Sequence, residues 1–144
     1  MPKFLISKSE FLEKQLVVKS SGIPGAGKGL FTTIAIEKET VITEFSGEKI
    51  SHTIGAARSI MNESHSLLYL NQKYFVDSYA DKSCMATFIN DAIGEVRING
   101  IDNNTTIHRA NGRIYVIALR DIQAGEELFL EYGPDYWNRR SIKK

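Results

Sequence analysis

Gly125-Glu126-Glu127-Leu128-Phe129-Leu130-Glu131-Tyr132-Gly133-Pro134-Asp135-Tyr136-Trp137 is the stretch from which the rest of the chain is read. Strand side chains alternate, so Leu128, Leu130 and Tyr132 would share one face. A Gly-Pro turn follows at once. A tyrosine at such a strand mouth can hold its hydroxyl at a pocket rather than in bulk water. The alternative is that Tyr132 is one more amphipathic residue on a half-buried strand. What lies upstream decides between them.

The chain has 144 residues, 42% hydrophobic and 24% charged, which suits one folded domain with one core. Its 18 basic and 17 acidic residues leave a net charge of +1. No global field favours nucleic acid or an acidic membrane, so neither is an expected direct partner. Only the tail, Arg139 to Lys144, is locally basic, and it reads as a solvated end. The one cysteine, Cys84, excludes an intrachain disulfide and a cysteine zinc cluster and reads as a small buried residue. The apolar run at Phe4-Leu5-Ile6 is too short for a signal peptide, and no stretch approaches the ~20 apolar residues of a membrane span. A soluble intracellular protein is expected. The Asn-x-Thr matches at Asn103 and Asn104 then read as chance sequons.

Strands are expected at Gln15 to Lys19, Gly29 to Thr33 and Thr40 to Phe45, from their β-branched and aromatic content. Ile54, Ala57, Ile60 and Met61 fall at helical spacing and predict a helix over Thr53 to Asn62. Ser66 to Leu70 and Tyr74 to Asp77 read as a hairpin, with Asp77 closing its end. Ser83 to Ile89 suits a short helix. Thr105 to Ala110 and Arg113 to Leu119 flank Asn111-Gly112, the pair that supplies the two positive φ angles of a type I′ turn. The sum is a mostly β domain with one or two small helices and no long parallel βαβ unit.

Gly22, Gly25, Gly27 and Gly29 crowd one loop, where a ligand can approach the backbone closely because no Cβ intervenes. Gly22, Gly27 and Lys28 also mimic a phosphate-binding loop. Gly29 stands where that motif needs Ser or Thr, and Leu30 to Ile34 favour strand over the required helix. A plain turn and a loop contacting another ligand both stay open on local grounds.

Three separated pieces line up in order. The first is Gly27-Lys28-Gly29-Leu30-Phe31, followed by Glu44 to Glu48. The second is Tyr74-Phe75-Val76-Asp77, followed by Ala86 to Asp91. The third runs from Ile117 through Gly125-Glu126-Glu127 into Glu131-Tyr132-Gly133. Together they resemble the SET domain of protein lysine methyltransferases, over about residues 15–137. Small single-domain, viral-like members without zinc-binding flanks are the nearest in size and ending. The resemblance implies one SET domain spanning residues 1–144, with several small β-sheets and a few short helices around a C-terminal pseudoknot. There the end of the chain passes through a loop made by the preceding chain.

It further implies S-adenosylmethionine as methyl donor and a protein lysine as acceptor, a histone tail among the candidates. Carried over residue by residue, Lys28, Gly29, Leu30, Asn90 and Asp91 would contact the donor. Trp137, with Tyr136, would cover its adenine. Tyr132 would be the catalytic tyrosine. Phe45, Tyr74 and Leu130 would wall the lysine channel, with Tyr69 a further contributor. No metal is implied. A nuclear location follows if chromatin is the target, and a cytoplasmic one otherwise. Small relatives can pair, so a homodimer stays open.

Three departures stand out. Asp91 replaces the family's usual histidine after Asn90. Phe45 replaces a common tyrosine, removing one channel hydroxyl. Leu130 sits where Phe or Tyr often tunes the number of methyl groups added. Asp91 and Phe45 motivate a second reading, a catalytically weak or inactive SET-like module that binds peptide. The chemistry itself suits the residues. The acceptor lysine must be neutral, and an apolar channel lowers its pKa. Alignment and fixed dipoles can then supply most of the acceleration.

Overall fold

The computed structural model describes residues 11–61, 67–92 and 100–131. The strands are β1 (Leu16–Ser20), β2 (Lys28–Thr32), β3 (Val41–Glu44), β4 (Glu48–Ser51), β5 (Leu67–Tyr69), β6 (Tyr74–Asp77), β7 (Thr105–Ala110), β8 (Arg113–Ala118) and β9 (Glu127–Leu128). One helix, α1 (His52–Met61), and 3-10 turns at Glu13–Gln15 and Met85–Phe88 complete the described elements. The alternating segments form strands where their patterning places them. Strand β4 was not expected: Glu48-Lys49-Ile50-Ser51 holds a single apolar side chain, and pairing with β6 makes it a strand.

The strands build three antiparallel three-stranded sheets, ordered β1-β2-β9, β3-β8-β7 and β4-β6-β5. Asn111 at φ 55° and Gly112 at φ 71° turn β7 into β8, as the Asn-Gly pair requires. Helix α1 covers one face of the β4-β6-β5 sheet. Gly55 permits this, because a Cβ there would come within 2.5 Å of the Phe75 ring. Arg58 on the same helix donates to Glu48 (2.9 Å) and to buried Asp77 (2.8 Å). Asp77 also accepts from the Tyr79 amide, so it does close the hairpin end.

Leu30, Ile42, Ile89, Ile114, Val116 and Leu128 form the centre of the main core and are almost wholly excluded from solvent. Each such side chain contributes about 1.5–3 kcal/mol by burial. Cys84 is buried in the same cluster, and burial pushes its thiol above its ordinary pKa.

The segment after β9 explains the architecture. Phe129 bridges Asn90 and Leu130 bridges Thr105, both in parallel. The Leu130 amide donates to the Asn90 carbonyl (2.8 Å), and the Thr105 amide donates to the Phe129 carbonyl (3.0 Å). Residues 127–130 are thus held on one flank by the chain near Asn90 and on the other by the start of β7. Such a segment is buried on both faces. Leu128 and Leu130 enter the main core, while Phe129 packs with Ile23 and Ala92. A half-buried strand with one wet face is therefore not what forms.

Candidate cofactor and substrate site

The glycine loop is closed at its neck, where the Ser21 amide donates to the Gly27 carbonyl (2.8 Å). Gly25 and Gly27 hold φ of 77° and 74°, which disfavours any side chain there. No atom lies within 4 Å of the place a Cβ would occupy on either. Bare backbone therefore faces open space. Ile23 pins the loop by burying its side chain against Ala92 and Phe129.

Beneath the loop lies Glu127. It is 8% exposed, and it belongs to the strand that leads towards Tyr132. Its Oε1 accepts from the Gly22 amide (2.8 Å) and its Oε2 from the Ser21 hydroxyl (2.7 Å). The Ser21 hydroxyl in turn accepts from the Ile23 amide (3.0 Å). Asn90 Nδ2 donates to the Lys28 carbonyl (2.9 Å) and lies 3.5 Å from Glu127 Oε2. A buried carboxylate so placed gathers donors from two distant parts of the chain.

Four of the expected donor-contacting residues, Lys28, Gly29, Leu30 and Asn90, therefore meet at one place. Each arrives differently. Lys28 is solvent-exposed and engages Asn90 through its carbonyl. Gly29 is buried, and a Cβ there would collide with the Glu127 carboxylate, 2.9 Å from its Cδ and 3.2 Å from Ser21 Cβ. The glycine is thus demanded by Glu127 and Ser21. Leu30 is wholly buried, its side chain in the core and its backbone paired with Val18 of β1 and Leu128 of β9, so it supports the site from behind and does not meet a ligand as expected. Asp91 is buried, and its carboxylate accepts from Asn103 Nδ2 (3.1 Å). Asn103 Oδ1 accepts from the Ala92 amide (2.8 Å), so Asp91 is tied to the loop before β7.

Of the expected channel wall, Phe45 and Leu130 share the main apolar cluster with Leu70, Val76 and Cys84. Tyr74 is not brought to them. It is 38% exposed on β6, with the Lys49 ammonium 5.6 Å from its ring centre. A cleft of about 430 Å³ opens beside Leu130 and Glu131, with Thr105, Ile107 and Leu119 on its wall. Tyr132, Tyr136 and Trp137 lie outside the described residues. The phosphate-loop alternative fails on topology: the chain after Gly27 continues as β2, whereas that motif needs a helix.

Residues 27–133 match the family model described as SET domain. The chain belongs to the SET domain family. A histone-lysine N-methyltransferase EZH2 of Chaetomium thermophilum is 30% identical over 135 residues, 87% of this chain and 8% of that protein. The N-lysine methyltransferase KMT5A-A of Danio rerio is 28% identical over 121 residues, 77% of this chain and 33% of that protein. Among solved structures, a humanized mutant of the Chaetomium thermophilum Polycomb Repressive Complex 2, bound to the inhibitor GSK343, matches with a TM-score of 0.65. That match has 30% sequence identity and covers 88% of this chain and 16% of the matched one. This SET domain thus spans a third or less of the length of these relatives.

Two side chains that organise this SET domain were missed in the sequence. Glu127 reads there as one acid in a matched motif, because its partner Ser21 is 106 positions away. Asn104 reads as half of a chance sequon. Folded, it is 1% exposed. Its Nδ2 donates to the Glu127 carbonyl (2.9 Å) and its Oδ1 accepts from the Phe129 amide (2.8 Å). An amide side chain here imitates a neighbouring strand where backbone pairing is interrupted. Two consecutive asparagines before a strand were the only local signal.

Among the described residues, no helix is long and apolar enough to cross a membrane. Nor does any group of three or more His, Cys, Asp or Glu side chains there suit a metal ion.

Proposed function

We propose that this SET domain is an S-adenosylmethionine-dependent protein-lysine N-methyltransferase. One observation carries the reading. The open glycine loop, Asn90 and the strand leading towards Tyr132 converge on one buried carboxylate. The residues fit the donor: bare backbone at Gly25 and Gly27 allows close approach, and half-buried Asn90 stands beside the Lys28 carbonyl. When bound, S-adenosylmethionine supplies a methyl carbon on a sulfonium, to be taken by an amine in line with the breaking bond.

Each residue then has a task. The backbone at Lys28 and Gly29 and the Asn90 side chain bind and orient the donor, with Asp91 and Trp137 completing its surround. Phe45 and Leu130 provide apolar surface that favours a neutral lysine amine over ammonium. Tyr74 stands at the outer end of β6, where it can meet an incoming peptide rather than the reacting atoms. The phenol of Tyr132 would steady the transferring methyl group through a weak C–H···O contact. An extended segment lying along an exposed sheet edge would present the lysine, with pairing from main-chain hydrogen bonds. A histone tail is the first substrate to try, because two of the similar proteins are named lysine methyltransferases, one of them for histones. Action on chromatin would place the protein in the nucleus.

Incubation with radiolabelled donor and histones or cell-extract proteins tests the proposal. Label transfer to lysine supports it; a protein that binds S-adenosylhomocysteine and transfers nothing is not a methyltransferase. The second reading, a peptide-binding module with little activity, is favoured by one observation. Asp91, in the usual histidine's place, engages Asn103. Calorimetry separates the two, since clear micromolar binding of S-adenosylhomocysteine favours the enzyme and none favours the module.

A further inference from the structure

We infer that Glu127 is a positioning residue that sets affinity for the methyl donor by latching the glycine loop and Asn90 to β9. The inference rests on the proposed cofactor site, which it deepens. Its starting point is an expensive choice of side chain. Glu127 is nearly excluded from water, and burying a carboxylate is unfavourable unless hydrogen bonds compensate it. A buried carboxylate is most often paired with a cation. Among the described residues Glu127 has no such pair, and its partners are neutral: the Ser21 hydroxyl, the Gly22 amide and, more distantly, the Asn90 amide.

Those partners are not scattered. Ser21 and Gly22 open the glycine loop, and Asn90 holds the Lys28 carbonyl at its far end. All belong to segments assigned to the donor. Each oxygen of the carboxylate takes one end of the load: Oε1 fixes Gly22, while Oε2 fixes Ser21 and faces Asn90. Gly29 completes the fit, since only a residue without Cβ leaves room for the carboxylate. The apolar neighbour Leu128 already anchors β9 in the core, so the sheet does not need Glu127 for burial. What the carboxylate adds is a fixed loop conformation, and a loop ordered beforehand costs less to order on binding.

Three variants test this: Glu127→Gln, Glu127→Leu and Ser21→Ala. Calorimetry with S-adenosylhomocysteine reads affinity, thermal melting reads stability, and amide hydrogen exchange reads residues 21–29. Glu127→Leu should bind about tenfold or more weakly, the scale of a lost hydrogen bond to a charged group. Ser21→Ala should bind roughly threefold more weakly, and Glu127→Gln should fall between these two, because its carbonyl still accepts from Gly22. Exchange should quicken at 21–29 in all three, in the same order, and remain slow in β7 and β8. A merely structural role would instead lower the melting temperature and leave the affinity order and the local exchange unmoved. Folded variants with wild-type affinity and wild-type exchange at 21–29 overturn the inference. If substitution at 127 prevents folding, Ser21→Ala alone decides, since it leaves the carboxylate and its bond to Gly22 in place. If wild-type protein gives no heat with S-adenosylhomocysteine, the cofactor reading falls, and exchange at 21–29 still decides whether Glu127 holds the loop.

Discussion

Replacing Asn104 with Ala should be among the most damaging single changes in the described chain. The side chain is 1% exposed, and it satisfies the Glu127 carbonyl and the Phe129 amide. Both groups sit on buried residues of the segment 127–130. Truncation leaves one acceptor and one donor without partners, at about 1–3 kcal/mol each. The sum is roughly 2–6 kcal/mol, against a total stability of about 5–15 kcal/mol for an ordinary domain. At about 2–4 °C per kcal/mol, the melting temperature should fall by roughly 10 °C. Urea denaturation followed by circular dichroism supplies the matching free energy. Asn103→Ala is the control, because Asn103 is only half-buried and holds the loop at Asp91 and Ala92 rather than residues 127–130. A loss below about 1 kcal/mol at Asn104 would refute the reasoning, because it would equal the net worth of a single ordinary hydrogen bond. Residues 127–130 would then be held by their backbone pairing and apolar contacts without help from Asn104.

Tyr132→Phe should cut turnover by roughly a hundredfold, the cost of one oriented polar contact at a reacting centre, while calorimetry finds cofactor affinity mostly kept. Gly29→Ala should lower stability by about 1–3 kcal/mol through overpacking against Glu127, and should weaken S-adenosylhomocysteine binding in the same titration. Arg120 holds the Glu126 carboxyl below its ordinary pKa by a 2.9 Å charged hydrogen bond. A depressed folded pKa gives stability that is present above the unfolded value and lost as pH falls through the folded one. Arg120→Ala should therefore cost stability at neutral pH and little at pH 2, and because the pair is exposed the difference should stay below about 1 kcal/mol in acid-to-neutral melts.

Local chemistry made much of this fold legible. The Asn111-Gly112 pair specifies the β7–β8 turn because those two residues tolerate positive φ, which needs no information from elsewhere in the chain. Helix α1 and the hairpin of β5 and β6 were readable for the same reason: period and turn chemistry act over a few residues. Strand β4 was not, since its residues show no alternation and become a strand only by pairing with Phe75 to Asp77 and their neighbours. At the site, the types were readable and the partners were not. Asn90 was singled out, but its hold on the Lys28 carbonyl joins residues 62 positions apart. Tyr74 carried the right motif and came to rest at the exposed end of its hairpin.

The chain alone determined where it bends, which segments extend and which family of folds can accommodate its three motifs. Those features follow from backbone torsions and side-chain periodicity, which neighbours in sequence control. Tertiary structure decided that Glu127 would sit beneath the glycine loop, that Asn104 would stand in for a missing strand and that residues 127–130 would be enclosed on both flanks. A buried polar atom must find a partner wherever the chain brings one, and only the closed fold says which groups are left facing each other out of reach of water.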